Sequence, residues 1–449
     1  MKLWNEHSTL DSRIEAFTIG RDPELDLLLA PWDVLGTLAH VRMLGQVGLL
    51  SPEEVERLEP ELRALYAAAC KGDLRLEAGV EDIHSQVELE LVRRLGEVGK
   101  KVHSGRSRND QVLLDLRLFL RAGLERIVQK TEGLARTLLE LSERHRDMLM
   151  PGYTHTQIAM PSSFGLWFGA FAESLVDDLR LSAAAYAIVN QNPLGSAAGY
   201  GSSFPLDRSL TTRLLGFREL SYNALHAQLG RGKTEWFVAT ALAAVAATLN
   251  KLCSDLCLFS SGNFDFFRLP EAFTTGSSIM PHKRNPDVFE LIRGRCNLLL
   301  ALPQQIALLD TNLISGYHRD YQLLKEPLFP ALRHLEDGLE LLTHALPQLE
   351  PNPHILEDPR YRLLFTVEAV NARVQQGTPF RDAYHAVARE VKEGTFHFEG
   401  TTRHTHEGSI GNLCNDAIEG KLERVLTEFP FAQVRAALDV LSAGSGAAV

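Results

Sequence analysis

Three short stretches of the chain set chemically useful residues at close, fixed spacing. The first is Gly276-Ser277-Ser278-Ile279-Met280-Pro281-His282-Lys283-Arg284-Asn285-Pro286. Asn285 before Pro286 suits a helix N-cap followed by a first helical residue. The stretch is therefore expected to end on the positive end of a helix dipole, where anions are stabilised. Lys283 adds a full positive charge beside it, and the combination suits an intermediate that gains negative charge. A plain Gly-Ser linker would have no need of the lysine and asparagine. The second stretch is Gly152-Tyr153-Thr154-His155-Thr156-Gln157, in which His155 follows a Gly-Tyr turn and taken alone reads as a loop histidine. The third is His103-Ser104-Gly105-Arg106-Ser107-Arg108-Asn109-Asp110-Gln111. Asn109 or Asp110 can cap the helix that follows, but two arginines there oppose its dipole. Arg108 and Asn109 are read as a fork for a carboxylate.

Long helices must position these stretches. No proline occurs from Gln111 to Met150, and Leu116, Leu120, Leu124, Ile127, Thr131, Leu134, Leu138 and Leu141 step by three or four, which paints one face of a helix. Further long helices are expected over Pro161 to Asn190, over Thr234 to Ser260, and from Pro286 to a kink or end at Pro303. The stretch Phe237 to Leu249 is apolar nearly all round and alanine-rich, so it must be enclosed by other helices. Helices of this length with little chain to cover them bury their faces against copies of themselves. Strand signals are scarce, so the fold class is all-α. The expected division is an N-terminal helical domain over 1–105, a central long-helix bundle over 106–352 and a small helical domain over 353–449, with a frayed tail from Ser442.

The 46 basic and 57 acidic side chains give a net charge of -11, which argues against a general affinity for nucleic acid or anionic membrane. An anionic ligand then needs a local basic cluster. Cys70, Cys253, Cys257, Cys296 and Cys414 are odd in number and scattered, and read as reduced, buried thiols of a cytoplasmic protein. Cys253 and Cys257 share a helix face without a second ligand pair, so no metal is expected. Met1 to Glu6 holds no apolar signal-peptide core, and the apolar run between Glu235 and Lys251 is short for a bilayer.

The first stretch matches GSSxMPxKxNP at every specified position, a coincidence of order one in a million for a random chain. On it the chain resembles the fumarase/aspartase superfamily. The GYTHxQ match and the GRSRNDQ stretch narrow the likeness to the argininosuccinate lyase/δ-crystallin family, from about Asp33 onward. The resemblance implies a three-domain fold whose central helices join in a tetramer core of roughly twenty helices, with each active site shared between subunits. It implies a carbon–nitrogen lyase splitting argininosuccinate into arginine and fumarate, the last step of arginine biosynthesis, without cofactor. Ser277 would be the general base, a role that needs positive surroundings because serine is a poor base when unperturbed. Lys283 would stabilise the intermediate, and His155 would be the acid, or orient the acid, for the leaving nitrogen. Ser107, Arg108, Asn109, Thr154 and Asn285 would contact the substrate. Tyr317, Gln322 and Lys325, which keep a Y…DxQxxK spacing, would hold its amino-acid end. Asp82 and His84 of Glu81-Asp82-Ile83-His84 would be neighbours of the substrate, with a plain helix cap as the other reading.

The chain also departs from the family. An early serine of an FNAS-like segment is replaced by Phe17-Thr18-Ile19-Gly20-Arg21-Asp22, and an RDFV-like helix start reads Glu235-Trp236-Phe237-Val238. Gly195 to Gly201 lacks the lysine of a nucleotide loop and follows a helix, which suits a supporting connection. His404-Thr405-His406-Glu407 reads as an exposed loop. Two rival functions remain at this stage, an adenylosuccinate lyase and a crystallin-like structural protein without activity. The first would need a phosphate site and lacks the GRSRNDQ pattern; the second sits poorly with an intact Ser277, His155 and Lys283.

Overall fold

The structure, a computed structural model, describes residues 11–77, 79–400, 402 and 404–443. The stretch Met1 to Glu6 and the tail from residue 444 lie outside the described residues. Helices α1 (Ser12–Ile19) and α2 (Asp22–Asp26) lead into α3 (Ala30–Gln46), α4 (Pro52–Cys70), α5 (Ile83–Leu95) and α6 (Glu97–Lys100). Helix α7 (Arg108–Arg144), the hairpin β1 (Leu149–Thr154) and β2 (Gln157–Ser163), and α8 (Phe164–Val189) follow. Next come β3 (Gln191–Asn192), α9 (Arg208–Leu214), β4 (Glu219–Leu220), α10 (Ala224–Leu229) and α11 (Lys233–Phe259). The chain continues through β5 (Phe267–Arg268), α12 (Asp287–Asp310), α13 (Lys325–Ala345) and β6 (Glu350–Pro351) to α14 (Thr366–Gln375), α15 (Phe380–Glu393), α16 (Asn415–Leu426) and α17 (Phe431–Ala443).

Helices α7, α8, α11, α12 and α13 pack side by side around one large apolar core. All eight positions of the α7 stripe, from Leu116 to Leu141, are buried. Each buried leucine contributes roughly 1.5–3 kcal/mol relative to exposure, which is why a helix this long forms. Leu114 and Leu118 of α7 face the other way, into a second core shared with α3, α4 and α5. One helix therefore joins both cores and carries the GRSRNDQ stretch at its start. Helix α11 is long and apolar enough to cross a bilayer, yet its inner face is buried against α8 and α12. It is a core helix.

Several local expectations are corrected. Helix α7 starts at Arg108, capped by Ser107, and ends at Arg144, short of Met150. Helix α8 starts at Phe164 because Pro161 belongs to β2, where it pairs with Pro151. Pro303 does not end α12, which continues to Asp310. Leu299, Leu302 and Ile306 on either side are buried in the main core, and that packing offsets the cost of about 3 kcal/mol for an interior proline. Only Cys253 and Cys296 are fully buried; Cys257 and Cys414 are partly so, and Cys70 is exposed.

Candidate active site

The signature loop hangs between β5 and α12. Thr275 and Asn285 close its base as an antiparallel bridge, with the Asn285 N–H donating to the Thr275 carbonyl at 2.9 Å and the reverse bond at 3.2 Å. The Asn285 side chain also donates to the Thr275 hydroxyl at 3.3 Å. That pairing explains a correction: Asn285 is not the N-cap, a position that falls to Pro286, and α12 begins at Asp287. Inside the loop the Ser277 hydroxyl oxygen accepts from the N–H of Met280 at 3.1 Å and of Ile279 at 3.4 Å. Hydrogen bonds donated to an oxygen favour its charged form, and two backbone N–H groups are so directed here. Lys283 is exposed, and Ile279 is 82% exposed, so one chain leaves the loop open.

His155 and Thr156 form the two-residue turn of the β1–β2 hairpin, between paired Thr154 and Gln157. Both have positive φ, 51° and 58°, as a type I′ turn requires. Asparagine and glycine suit that conformation; a β-branched threonine is strained there by about 1–3 kcal/mol. The turn nevertheless forms because its base is fixed. The Tyr153 hydroxyl donates to that of Tyr361 at 3.3 Å, and the Tyr153 ring packs on Phe264 and Phe266. Gly152 is needed for close approach, since a Cβ there would lie 2.7 Å from the Met160 carbonyl oxygen across the hairpin. Thr154 and His155 are thereby held out, exposed, at the tip.

At the start of α7, the Ser107 hydroxyl accepts from the Asn109 N–H at 3.2 Å, and the Asp110 carboxylate accepts from the Ser107 N–H at 2.9 Å. The other oxygen of Asp110 accepts from the N–H groups of Gly195 and Ala197, at 2.9 Å each. The glycine-rich connection is thus tied to the helix start, the supporting part expected of it. Arg108 is not free as a fork. It pairs with Glu81 at 3.0 Å and Asp82 at 3.4 Å, and donates to the Ser85 hydroxyl at 2.8 Å. Asp82 caps α5 through the Ser85 N–H at 2.8 Å. Although burial opposes ionisation of Asp82, His84 and Arg108 outweigh it and hold the carboxyl below its ordinary value.

His84 lies buried between α3, α5 and α7, with Nδ1 2.6 Å from Asp33 and 3.6 Å from Asp115. Burial alone would lower its pKa, but the acidic neighbours, Asp33 foremost, outweigh burial and raise it to about 10, while burial and the nearby Asp33 push the Asp115 carboxyl well up. These three side chains are close enough to hold a metal ion. With its pKa raised, the His84 ring favours the imidazolium form between these carboxyl groups, and the half-buried Arg106 guanidinium adds charge nearby.

Lys325, expected at the substrate's amino-acid end, is 1% exposed and lies 2.7 Å from both Asp22 and Asp26. Gln322 keeps its Oε1 buried without a hydrogen-bond partner among the described residues, and Tyr317 is half-buried near the Tyr321 ring. The segment is anchored by Arg231, which donates to the Tyr321 carbonyl at 3.0 Å and pairs with Glu235 at 3.2 Å. Glu235 also accepts from the Gly232 N–H at 2.8 Å, so this departure from the family's arginine has a local structural use. Arg319 reaches Glu81 and Asp22, each at 3.4 Å, and so links the α5–α7 group to the Lys325 group. The sequence reading missed Asp22, Asp26, Asp33 and Asp115. Lone carboxylates inside apolar helical text, as in Val112-Leu113-Leu114-Asp115-Leu116, were the available signal.

The structure therefore gathers Asp82, His84, Arg108 and Lys325 into one linked region, while Ser277, His155 and Asn109 stay on separate elements with no hydrogen bond between them. A family model described as lyase matches residues 1–299. The chain is 57% identical over 436 residues to an argininosuccinate lyase of Parabacteroides distasonis, covering 97% of this chain and 98% of that protein. To an argininosuccinate lyase of Sorangium cellulosum it is 40% identical, covering 94% and 99%. Among solved structures, an EDDS lyase in complex with formate superposes with a TM-score of 0.76 at 22% identity, covering 97% and 95%. A class II fumarase from Schistosoma mansoni superposes with a TM-score of 0.71 at 16% identity, covering 94% of each chain. Those two share the fold, and the sequence relatives set the membership: the chain belongs to the argininosuccinate lyase family.

Proposed function

We infer that this protein is an argininosuccinate lyase, eliminating arginine from argininosuccinate to leave fumarate in the last step of arginine biosynthesis. The observation that carries this is the 57% identity over nearly the whole chain to a lyase of that name, with all three motifs intact. A base removes a proton from the carbon beside a carboxylate, the C–N bond breaks, its electron pair leaves with the guanidino nitrogen, and a double bond forms. No electron carrier is needed. Ser277 is assigned as base, supported by the two N–H groups aimed at its oxygen. Lys283 stabilises the charge that develops on the carboxylate. His155, on its strained turn, is assigned as the acid or its orienting partner. Asn109, Ser107, Thr154 and Asn285 are assigned to the substrate's succinyl end, and Tyr317, Gln322 and Lys325 to its amino-acid end. Asp82 and His84 are assigned as neighbours of the substrate, and Arg108, expected at a substrate carboxylate, is held beside them by its pairs with Glu81 and Asp82.

We also assign the protein as a homotetramer with shared sites. Leu291 and Leu298 of α12, seven residues apart on one face, are each 66% exposed, and exposed apolar faces of that kind mark a partner surface. The division at residues 105 and 352 is kept as the domain assignment, and unpaired thiols suit a reducing cytoplasm. Purified protein given argininosuccinate or adenylosuccinate decides the activity: fumarate should form with the first and not with the second. The converse result, or fumarate from neither, overturns the reading.

A further inference from the structure

The glycine-rich connection around Gly195 to Gly201 is braced on every side that the bundle offers it. Arg208 donates to the carbonyls of Leu194 and Ser221 at 2.8 Å each. Its stem fills the space beside Gly195, where a Cβ would lie 2.7 Å from Arg208 Cγ. The Gln228 side chain donates to the Ala197 carbonyl at 3.4 Å and occupies the room that Gly199 leaves. The remaining brace is Asp110, which is 0% exposed. One of its oxygens accepts from the N–H groups of Gly195 and Ala197, and the other from the N–H of Ser107. A carboxylate out of water is costly unless its lone pairs are filled. Backbone N–H groups of the loop and of the helix start fill them here, so one side chain fixes the connection and the first turn of α7 against each other. A first turn without such a tie frays.

Asn109 sits between two such ties. Arg108, on one side of it in the chain, is committed to Glu81, Asp82 and Ser85, and Asp110, on the other, to the glycine-rich connection. The Asn109 side chain is half-buried, and its amide makes no hydrogen bond among the described residues. Its neighbours serve the structure, and its own donor and acceptor are left for a ligand. On the reading of this protein as an argininosuccinate lyase, we propose that Asp110 is a positioning residue: by tying the Gly195 to Gly201 connection to α7, it sets Asn109 at the succinyl end of the substrate. A misplacement of about 1 Å costs on the order of 100-fold in rate, so a small slip of this first turn is enough to be read in the kinetics.

The test is a double-mutant cycle on kcat/KM for argininosuccinate, built from Asp110→Asn and Asn109→Ala. Asparagine keeps the shape of aspartate but turns an NH2 donor toward one of the N–H groups that the carboxylate now accepts from. Asp110→Asn alone should lower kcat/KM on the order of 100-fold. On the Asn109→Ala background it should cost about threefold or less, because the residue it acts through is already gone. Inhibition by fumarate, the succinyl-end product, should weaken roughly tenfold in Asp110→Asn, while inhibition by arginine stays within about twofold. Thermal unfolding and size-exclusion profiles identify a variant that fails to fold, in which case Gly195→Ala supplies the comparison. At φ 84° and against Arg208, a Cβ there shifts the Gly195 N–H away from Asp110 from the loop side, and the same pattern is expected. Losses that add in the cycle, equal weakening of both inhibitors, or unchanged kinetics in a folded variant overturn the proposal. A wild type that forms no fumarate contradicts the activity itself, a failure distinct from that of Asp110.

Discussion

At the scale of single residues, the loop 276–284 makes a sharp claim about Ser277 and Lys283. The Ser277 hydroxyl is bonded only locally, to N–H groups of its own turn, so Ser277→Ala should abolish turnover while leaving thermal unfolding within about 0.5 kcal/mol of wild type. Steady-state kinetics with a melting curve checks both halves; near-normal turnover removes Ser277 from the mechanism. Lys283 is exposed and makes no ion pair among the described residues, which leaves its charge available. Lys283→Met keeps most of the bulk and should lower kcat on the order of a hundredfold or more. A rise in KM alone would mean that Lys283 only binds the ground state. The spacing of these residues could be read directly from the chain. Their ion pairs could not, because partners such as Asp22 and Lys325, or His84 and Asp33, are brought together by the fold from distant positions. That is why Arg108 reads in sequence as a free carboxylate fork and proves to be committed to Glu81, Asp82 and Ser85.

At the scale of elements, the long helices were legible because their apolar periodicity is what buries them, and the α7 stripe lies in the core position for position. The hairpin was not, since β1 and β2 contain Pro151, Gly152 and Pro161, which weaken any strand pattern. The strained tip yields a prediction: Thr156→Gly should raise stability by about 1 kcal/mol, measured by chemical denaturation, because glycine adopts positive φ freely. No gain would mean that the turn carries no strain. A second prediction concerns the His84 network joining α3, α5 and α7. Its folded pKa of about 10 lies above the unfolded value of about 6.5. The associated stability is therefore fully present below about pH 6.5 and is lost as pH rises toward 10, by at most about 1.4 kcal/mol per pH unit. The stability gap between wild type and His84→Gln should narrow over that window. A gap independent of pH would show that His84 is not held as the imidazolium.

At the scale of the whole molecule, two features of the single chain bear on assembly. One chain sets Ser277 on an open loop, His155 at an exposed hairpin tip and Asn109 at the start of α7, with no hydrogen bond between them, and it leaves apolar side chains of α12 in water. Both features are resolved together if copies pack through the long helices and each site draws its motifs from different subunits. The most direct measurement mixes two inactive variants, Ser277→Ala and His155→Ala, unfolded and refolded together in equal amounts. A site is intact when its serine comes from the His155 variant and its histidine from the Ser277 variant, so random mixing should restore about a quarter of wild-type fumarate production. Each variant refolded alone should stay inactive. If native mass spectrometry shows mixed tetramers and the mixture remains inactive, the catalytic groups come from one chain and the shared-site account is contradicted.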